Sequence, residues 1–319
     1  MYRSHVYANS TKCTYSSHRR SYLDFCSLLG YCPLPASETT ILQYIAYLAR
    51  RLKPQCIPQY LNIVSLLHKE HGLPNPMKDN WKISSTITGV HRLHGSSISR
   101  KLPITKDILF RLHSLLNMTS SFDATFWAIC LTAFFGFFRK SHLLPTSVHN
   151  FNPRKQFIKS DSTFHSWGVA ISVRWSKTLQ FQERLVHIPL HTIPNSPLCP
   201  IAAILHFLHF IKCDSQYSSQ SPMFTYLPPS SSQSIPITYR QFLSKLRSLL
   251  SILGFNPSDY GSHSFRRGGA SLAHSAGIPT EHIKALGDWH SDSVFLYLHT
   301  SWAFRVSAQR QLISHITSH

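Results

Sequence analysis

HSFRRGGASLAHSAGIPTEHIKALGDWHSDSVFLYL, residues His263 to Leu298, gathers the side chains that phosphoryl transfer requires. His263 and Arg266 are three apart, which puts both on one face of a helix. Gly268 and Gly269 permit close backbone approach, while Gly277 and Pro279 mark the end of that helix and the start of the next. Gly287-Asp288-Trp289-His290 then forms a turn, and a short run to Leu298 carries Tyr297. A basic pair, a histidine, an indole and a late tyrosine, without a metal-ligand motif, point to covalent attack on a phosphodiester by a phenol.

Outward from this stretch, size and charge narrow the field. The 319 residues allow two domains, each with its own core. Lys and Arg number 32 against 13 Asp and Glu, a formal charge of +19. Residues 1–100 hold 12 basic and 4 acidic side chains and the remainder 20 and 9, so both parts suit one polyanion. With 43% hydrophobic residues, that charge indicates a folded nucleic-acid-binding protein rather than a membrane-surface or acidic-protein binder. Seven scattered cysteines without a Cys-x-x-Cys pair suit a reducing compartment. The 21 histidines show no zinc-ligand spacing, and no signal peptide or membrane span is evident.

Residues 1–16 read as a polar arm. Helices are expected over Ser17 to Leu29, after a Ser37 cap with Ile41, Ile45, Leu48 and Leu52 inward, from Pro58 to Gly72, and from about Asn80 to Leu93. His94 to Lys101 would be a linker. Thr105 caps the next helix, and Ser121 to Phe138 forms an apolar one ending at Arg139-Lys140. Val169, Ile171 and Val173 alternate as a strand, with a second extended run over Leu185 to Ile188. Cys199-Pro200 opens another helix, and Asp214 to Pro236 is a Ser/Pro/Gln-rich surface loop and a candidate for disorder. Thr238 caps an amphipathic helix with Phe242, Leu246, Leu249 and Leu250 inward and Arg240, Lys245 and Arg247 outward. The fold class expected is mainly α with a small β-sheet or hairpin.

The motifs resemble the catalytic domain of the tyrosine recombinase (phage-integrase-like) family. That resemblance rests on His263-Ser264-Phe265-Arg266, on Leu286-Gly287-Asp288-Trp289, and on Tyr297 ten residues after Gly287. Gly136 shortly before Arg139 is similar to the family's first arginine motif, with His142 where a glutamate is usual. Trp175-Ser176-Lys177-Thr178 followed by Arg184 resembles its lysine-bearing hairpin. Asp288 holds the position usual for His or Trp, with Trp289 one residue late; this Gly-x-Trp form resembles eukaryotic transposon-encoded (Crypton/DIRS-like) recombinases.

The resemblance implies a helical core-binding (SAM-like) DNA-binding domain over 1–100 and a mixed α+β catalytic domain over 101–319. It implies Arg139, Lys177, His263, Arg266, Trp289 and Tyr297 as catalytic residues, with Arg267, His290, Lys140 and Arg184 as DNA contacts. Double-stranded DNA would be the partner, a tetramer on two duplexes the assembly, and no cofactor, metal or ATP would be required. The location would be the nucleus of a eukaryote, or otherwise the cytoplasm on DNA. After Tyr297, the tail with Trp302, Phe304, Val306, Leu312 and Ile313 packs either on a neighbouring protomer or on its own domain. Three other readings stay open. One is a decayed module that binds DNA without chemistry, favoured by His142 and Asp288, and another is a type IB topoisomerase-like enzyme. The last is a metal-dependent nuclease, for which the acidic residues offer only the pair Asp288 and Asp292.

Overall fold

The computed structural model describes residues 6–95, 100–176, 184–212, 214–229, 231–298, 306, 309, 310 and 313. The chain divides into two compact units, Met1–Ser99 and Arg100–His319.

The first unit is four helices: α1 Asn9–Leu29, α2 Glu38–Ala49, α3 Ile57–Glu70 and α4 Trp81–His94. Each end has a local cause. Gly30 adopts φ +68° and returns its N–H to Cys26, the Ser37 hydroxyl accepts from Thr40 N–H, and the Asn80 carbonyl accepts from Ile83 N–H. Tyr22, Phe25, Ile41, Tyr44, Ile45, Leu61, Val64 and Ile83 meet in one core. The expected arm over 1–16 is replaced from Asn9 onward by helix. Tyr15 packs on the core and thereby anchors a first turn that shows no apolar periodicity.

In the second unit, α5 Lys106–His113 is capped by Thr105, and α6 Ser121–Phe135 is buried almost throughout. The latter stops three residues short of the expected Phe138, at Gly136, because Phe137 turns to a left-handed φ of +50°. A four-residue helix, α7 Lys140–Leu143, follows. Strands β1 Ser162–His165, β2 Gly168–Val173 and β3 Val186–His191 make an antiparallel sheet in that order, with Val173 paired to Val186. β1 was absent from the sequence reading. Its face is largely exposed and carries no alternation.

Helix α8 Pro200–Ile211 packs on α6. The stretch expected as a loop over 214–236 instead contains a two-stranded ladder, β4 Thr225–Tyr226 with β5 Ile235–Pro236. Buried Met223 and Phe224 hold it to the core, and the Asp214 carboxylate accepts from the Ser234 N–H at 2.8 Å and the Ser234 hydroxyl at 2.5 Å. Helix α9 Tyr239–Ile252 buries Phe242, Leu246, Leu249 and Leu250. Lys245, expected on its outer face, is half-buried in an ion pair with Asp123 at 2.7 Å.

Helix α10 Ser262–Ser275, helix α11 Thr280–Gly287 and a 3-10 turn over Asp292–Leu296 complete the unit. Among the described residues, no helix is long and apolar enough to cross a membrane. The architecture is mainly helical with a small antiparallel sheet.

Candidate active site

Two glycines seat the central helix of the site. A Cβ on Gly268 would fall 1.8 Å from the Ile104 carbonyl oxygen, and one on Gly269 would fall 2.0 Å from that of Phe134. The Ile104 N–H donates to the Ser264 carbonyl at 2.9 Å, which pins the same helix from its first turn. Backbone therefore meets backbone along α10, and Arg266 projects from it at a depth that leaves it 2% exposed.

Arg266 is held from several sides. It donates through Nη1 to the Phe137 carbonyl and through Nη2 to the Gly287 carbonyl at 2.7 Å. Its guanidinium carbon lies 3.7 Å from the ring centre of Trp289 and 5.2 Å from that of Tyr297. Burial, then the charge of Arg139, lowers its pKa from the usual arginine value to about 9. Nε has no hydrogen-bond partner among the described residues. Two of its five donors serve the backbone, and the side chain also hydrogen-bonds that of Tyr297. Phe137 adopts a backbone conformation unfavourable for a side chain with a Cβ, and its carbonyl is one of the two acceptors.

Arg139 stands at the N-terminal end of α7, half-buried, just after the Phe137-Phe138 turn. His142 faces inward between Phe138 and Phe157, with ring centres 6.2 and 5.7 Å away. Neither of its nitrogens has a hydrogen-bond partner among the described residues. Burial first, then Arg139 and Arg266, push its pKa down to about 3, so the ring is neutral at physiological pH. Arg139, His142, Ser176, Arg266, Gly287 and Asp288 line one small cavity. Lys140 is exposed, its Nζ 3.9 Å from the Tyr239 ring centre.

Tyr297 closes the 3-10 turn, and its carbonyl accepts from the Ser271 hydroxyl at 3.2 Å. Its ring lies 5.2 Å from that of Trp289 and 6.2 Å from that of His263. His263 is exposed, but partial desolvation and then Arg266, Lys140 and Arg139 lower its pKa. The structure thus brings His263, Arg266, Trp289 and Tyr297 together, with Arg139 bordering the same cavity as Arg266. Trp289 is 5% exposed, and its indole Nε1 is buried beneath the arginine without a hydrogen-bond partner among the described residues. Arg267 donates to the Lys101 carbonyl at 3.1 Å. Lys177 and most of the tail after Leu298 lie outside the described residues.

Asp288 is the residue that sequence reasoning undervalued. It adopts φ 51° and ψ 51° at the end of α11. Its carboxylate accepts from the Ser176 hydroxyl at 3.1 Å and from Arg184 Nη2 at 2.7 Å. His290 Nε2 lies 3.1 Å from the same carboxylate and 2.8 Å from Arg184 Nη2. The one available signal was an aspartate directly after a glycine at a helix end, since Asp tolerates the left-handed conformation.

No family model matches the chain. It is 26% identical over 272 residues to an integrase/recombinase xerD homolog of Selenomonas ruminantium, across 83% of this chain and 74% of the relative. The fold matches the Tn1549 transposon integrase in complex with transposon right end DNA at a TM-score of 0.65 and 12% identity, over 98% of this chain and 96% of that one. It also matches a lambda integrase dimer bound to a core site at a TM-score of 0.61 and 15% identity, over 93% and 91% of the two chains. The helical bundle and three-stranded sheet thus have the fold of these two integrases. In sequence and fold, then, the chain is similar to integrases and recombinases.

Proposed function

We propose that this protein is a site-specific DNA recombinase that cleaves and rejoins double-stranded DNA through a 3′-phosphotyrosine intermediate. The observation that carries the reading is the meeting of the Tyr297 phenol with buried Arg266, His263 and Trp289 in one site. A phosphodiester repels nucleophiles through its negative charge and has a poor alkoxide leaving group. Arg266 and Arg139 supply charge to the non-bridging oxygens. The Tyr297 oxygen forms the new bond to phosphorus while the bond to the 5′ oxygen breaks, and Lys177 gives that oxygen a proton. His263, held toward its neutral form, assists removal of the phenolic proton. Trp289 fixes the arginine plane by stacking. Attack by a 5′ hydroxyl of another strand releases Tyr297, so bond energy is retained and no ATP is required.

The formal charge of +19 suits a duplex backbone as partner. Strand exchange between two duplexes calls for a tetramer, with 1–100 and 101–319 acting as the core-binding and catalytic domains. Integration and excision of a mobile element is the process that fits, carried out in the nucleus if the host is eukaryotic.

Covalent trapping tests the reading. Wild type and Tyr297→Phe are incubated with nicked duplexes from the element's termini and resolved in SDS. An SDS-resistant protein–DNA band that disappears in the variant is expected. Salt-sensitive binding with no band at all would instead identify a DNA-binding module without chemistry, the reading that a neutral His142 favours. A band that survives in the variant would move the nucleophile to another tyrosine.

A further inference from the structure

Tyr297 lies alongside α10 and is held by that helix at both ends. Its side chain hydrogen-bonds that of Arg266, and its main-chain carbonyl accepts from the Ser271 hydroxyl at 3.2 Å. Arg266 and Ser271 both belong to α10, roughly 7.5 Å apart along its axis, a separation comparable to the length of a tyrosine. His263, from the first turn of the same helix, has its ring centre 6.2 Å from that of the phenol. Gly268 and Gly269 seat this helix against the main chain of Ile104 and Phe134. One firmly placed element therefore carries the groups around the phenol and the group that holds the main chain of the same residue.

We infer that Ser271 is a positioning residue, which fixes the main chain of the nucleophile relative to Arg266. The inference rests on the reading of Tyr297 as that nucleophile. The two ends of the tyrosine meet different demands. During cleavage the phenol oxygen must turn to phosphorus, so its bond to Arg266 has to give way as the arginine takes up the phosphate. The carbonyl takes no part in the reaction, and its bond to Ser271 can persist from the free protein to the covalent intermediate. On the other side, the Tyr297 N–H donates to the carbonyl of fully buried Val294 at 2.8 Å, which ties the tyrosine to its own 3-10 turn. Ser271 ties the end of that turn to the helix that bears the arginine. A hydroxyl inside a helix commonly donates back to the carbonyl four residues earlier; this one reaches a residue 26 positions on. The contact is partly buried, which limits competition from water.

An external nucleophile separates placement of the tyrosine from activation of the phosphate. Full-length wild type, Ser271→Ala, Tyr297→Phe and the double variant are compared on nicked duplexes. The readouts are single-turnover formation of the covalent band at saturating protein, duplex affinity, and cleavage by added hydrogen peroxide. In the last, the hydroperoxide oxygen bonds to phosphorus in place of the phenol, the bond to the 5′ oxygen breaks, and that oxygen takes a proton. Alanine favours helix, so the exchange removes the hydroxyl without weakening α10, and melting curves verify folding. Ser271→Ala is expected to form the covalent band about 10- to 100-fold more slowly, the scale of a misplaced reacting group, with duplex affinity within about twofold of wild type. In the Tyr297→Phe background, loss of the Ser271 hydroxyl should change peroxide cleavage by less than about threefold, since the phosphate site is untouched. A covalent band formed at the wild-type rate, an equal fall in peroxide cleavage, or a loss of affinity that matches the loss of rate would each overturn the inference. Where Tyr297→Phe gives no peroxide cleavage, rate and affinity decide by the same criteria. A covalent band in Tyr297→Phe would overturn the reading of Tyr297 as nucleophile, and this role of Ser271 with it.

Discussion

The guanidinium of Arg266 is stacked on the indole of Trp289 at 3.7 Å, and the indole N–H beneath it is buried without a hydrogen-bond partner among the described residues. Two roles for Trp289 separate cleanly. If the ring serves as a platform, Trp289→Phe keeps most of the stacking surface and should cleave within about tenfold of wild type. Trp289→Ala leaves a cavity under the arginine and should lose about 3–5 kcal/mol of stability together with most of its activity. Single-turnover cleavage and urea melts check both. A Phe variant as inactive as the Ala variant would mean that the N–H itself contacts the phosphate.

His142 makes the fold acid-sensitive. Its pKa is about 3 in the folded chain, against roughly 6.5 for an exposed histidine. Between these values the unfolded chain binds a proton that the folded chain refuses, so stability is full near pH 7 and falls as pH drops toward 3. At pH 5 the loss from this one group is about 2 kcal/mol. His142→Gln removes the titration while Arg139, Arg266 and Asp288 around it stay in place. Stability should then fall less from pH 7 to pH 5 in His142→Gln than in wild type, by that amount in denaturant titrations. Parallel losses in both proteins would refute it.

Glycine-to-alanine exchange should have opposite signs at two helical positions. Gly89 lies within α4 with open space where a Cβ would go, and Gly89→Ala should stabilise by about 0.5–1 kcal/mol. Gly268→Ala forces a methyl onto the Ile104 carbonyl and should destabilise by about 3 kcal/mol or prevent accumulation of folded protein. Melting temperatures of the two variants decide it. Equal shifts would mean that α10 can move away from residue 104.

What could be read without coordinates was local. The caps at Ser37, Thr105 and Thr238 act on N–H groups three residues on, so they are visible in a few letters of sequence. His263 and Arg266 share a helix face for the same reason, and both belong to α10. What escaped was non-local. Lys245 looked solvated until Asp123, 122 positions away, came to face it. Asp288 looked like a departure from a pattern because its partners Ser176 and Arg184 lie 112 and 104 positions earlier. The first turns of α1 and the strand β1 share another cause, since neither carries an apolar period of its own. The Asp214 carboxylate that ties down the serine-rich stretch reaches 20 residues along the chain, beyond any turn motif.

The contact of Gly268 and Gly269 with the carbonyls of Ile104 and Phe134 has a consequence for how this protein tolerates change. The depth of the arginine is set by main chain against main chain, at two positions that leave no room for a side chain. The two glycines admit no side chain unless that backbone moves, which makes them a narrow passage in the evolution of this site.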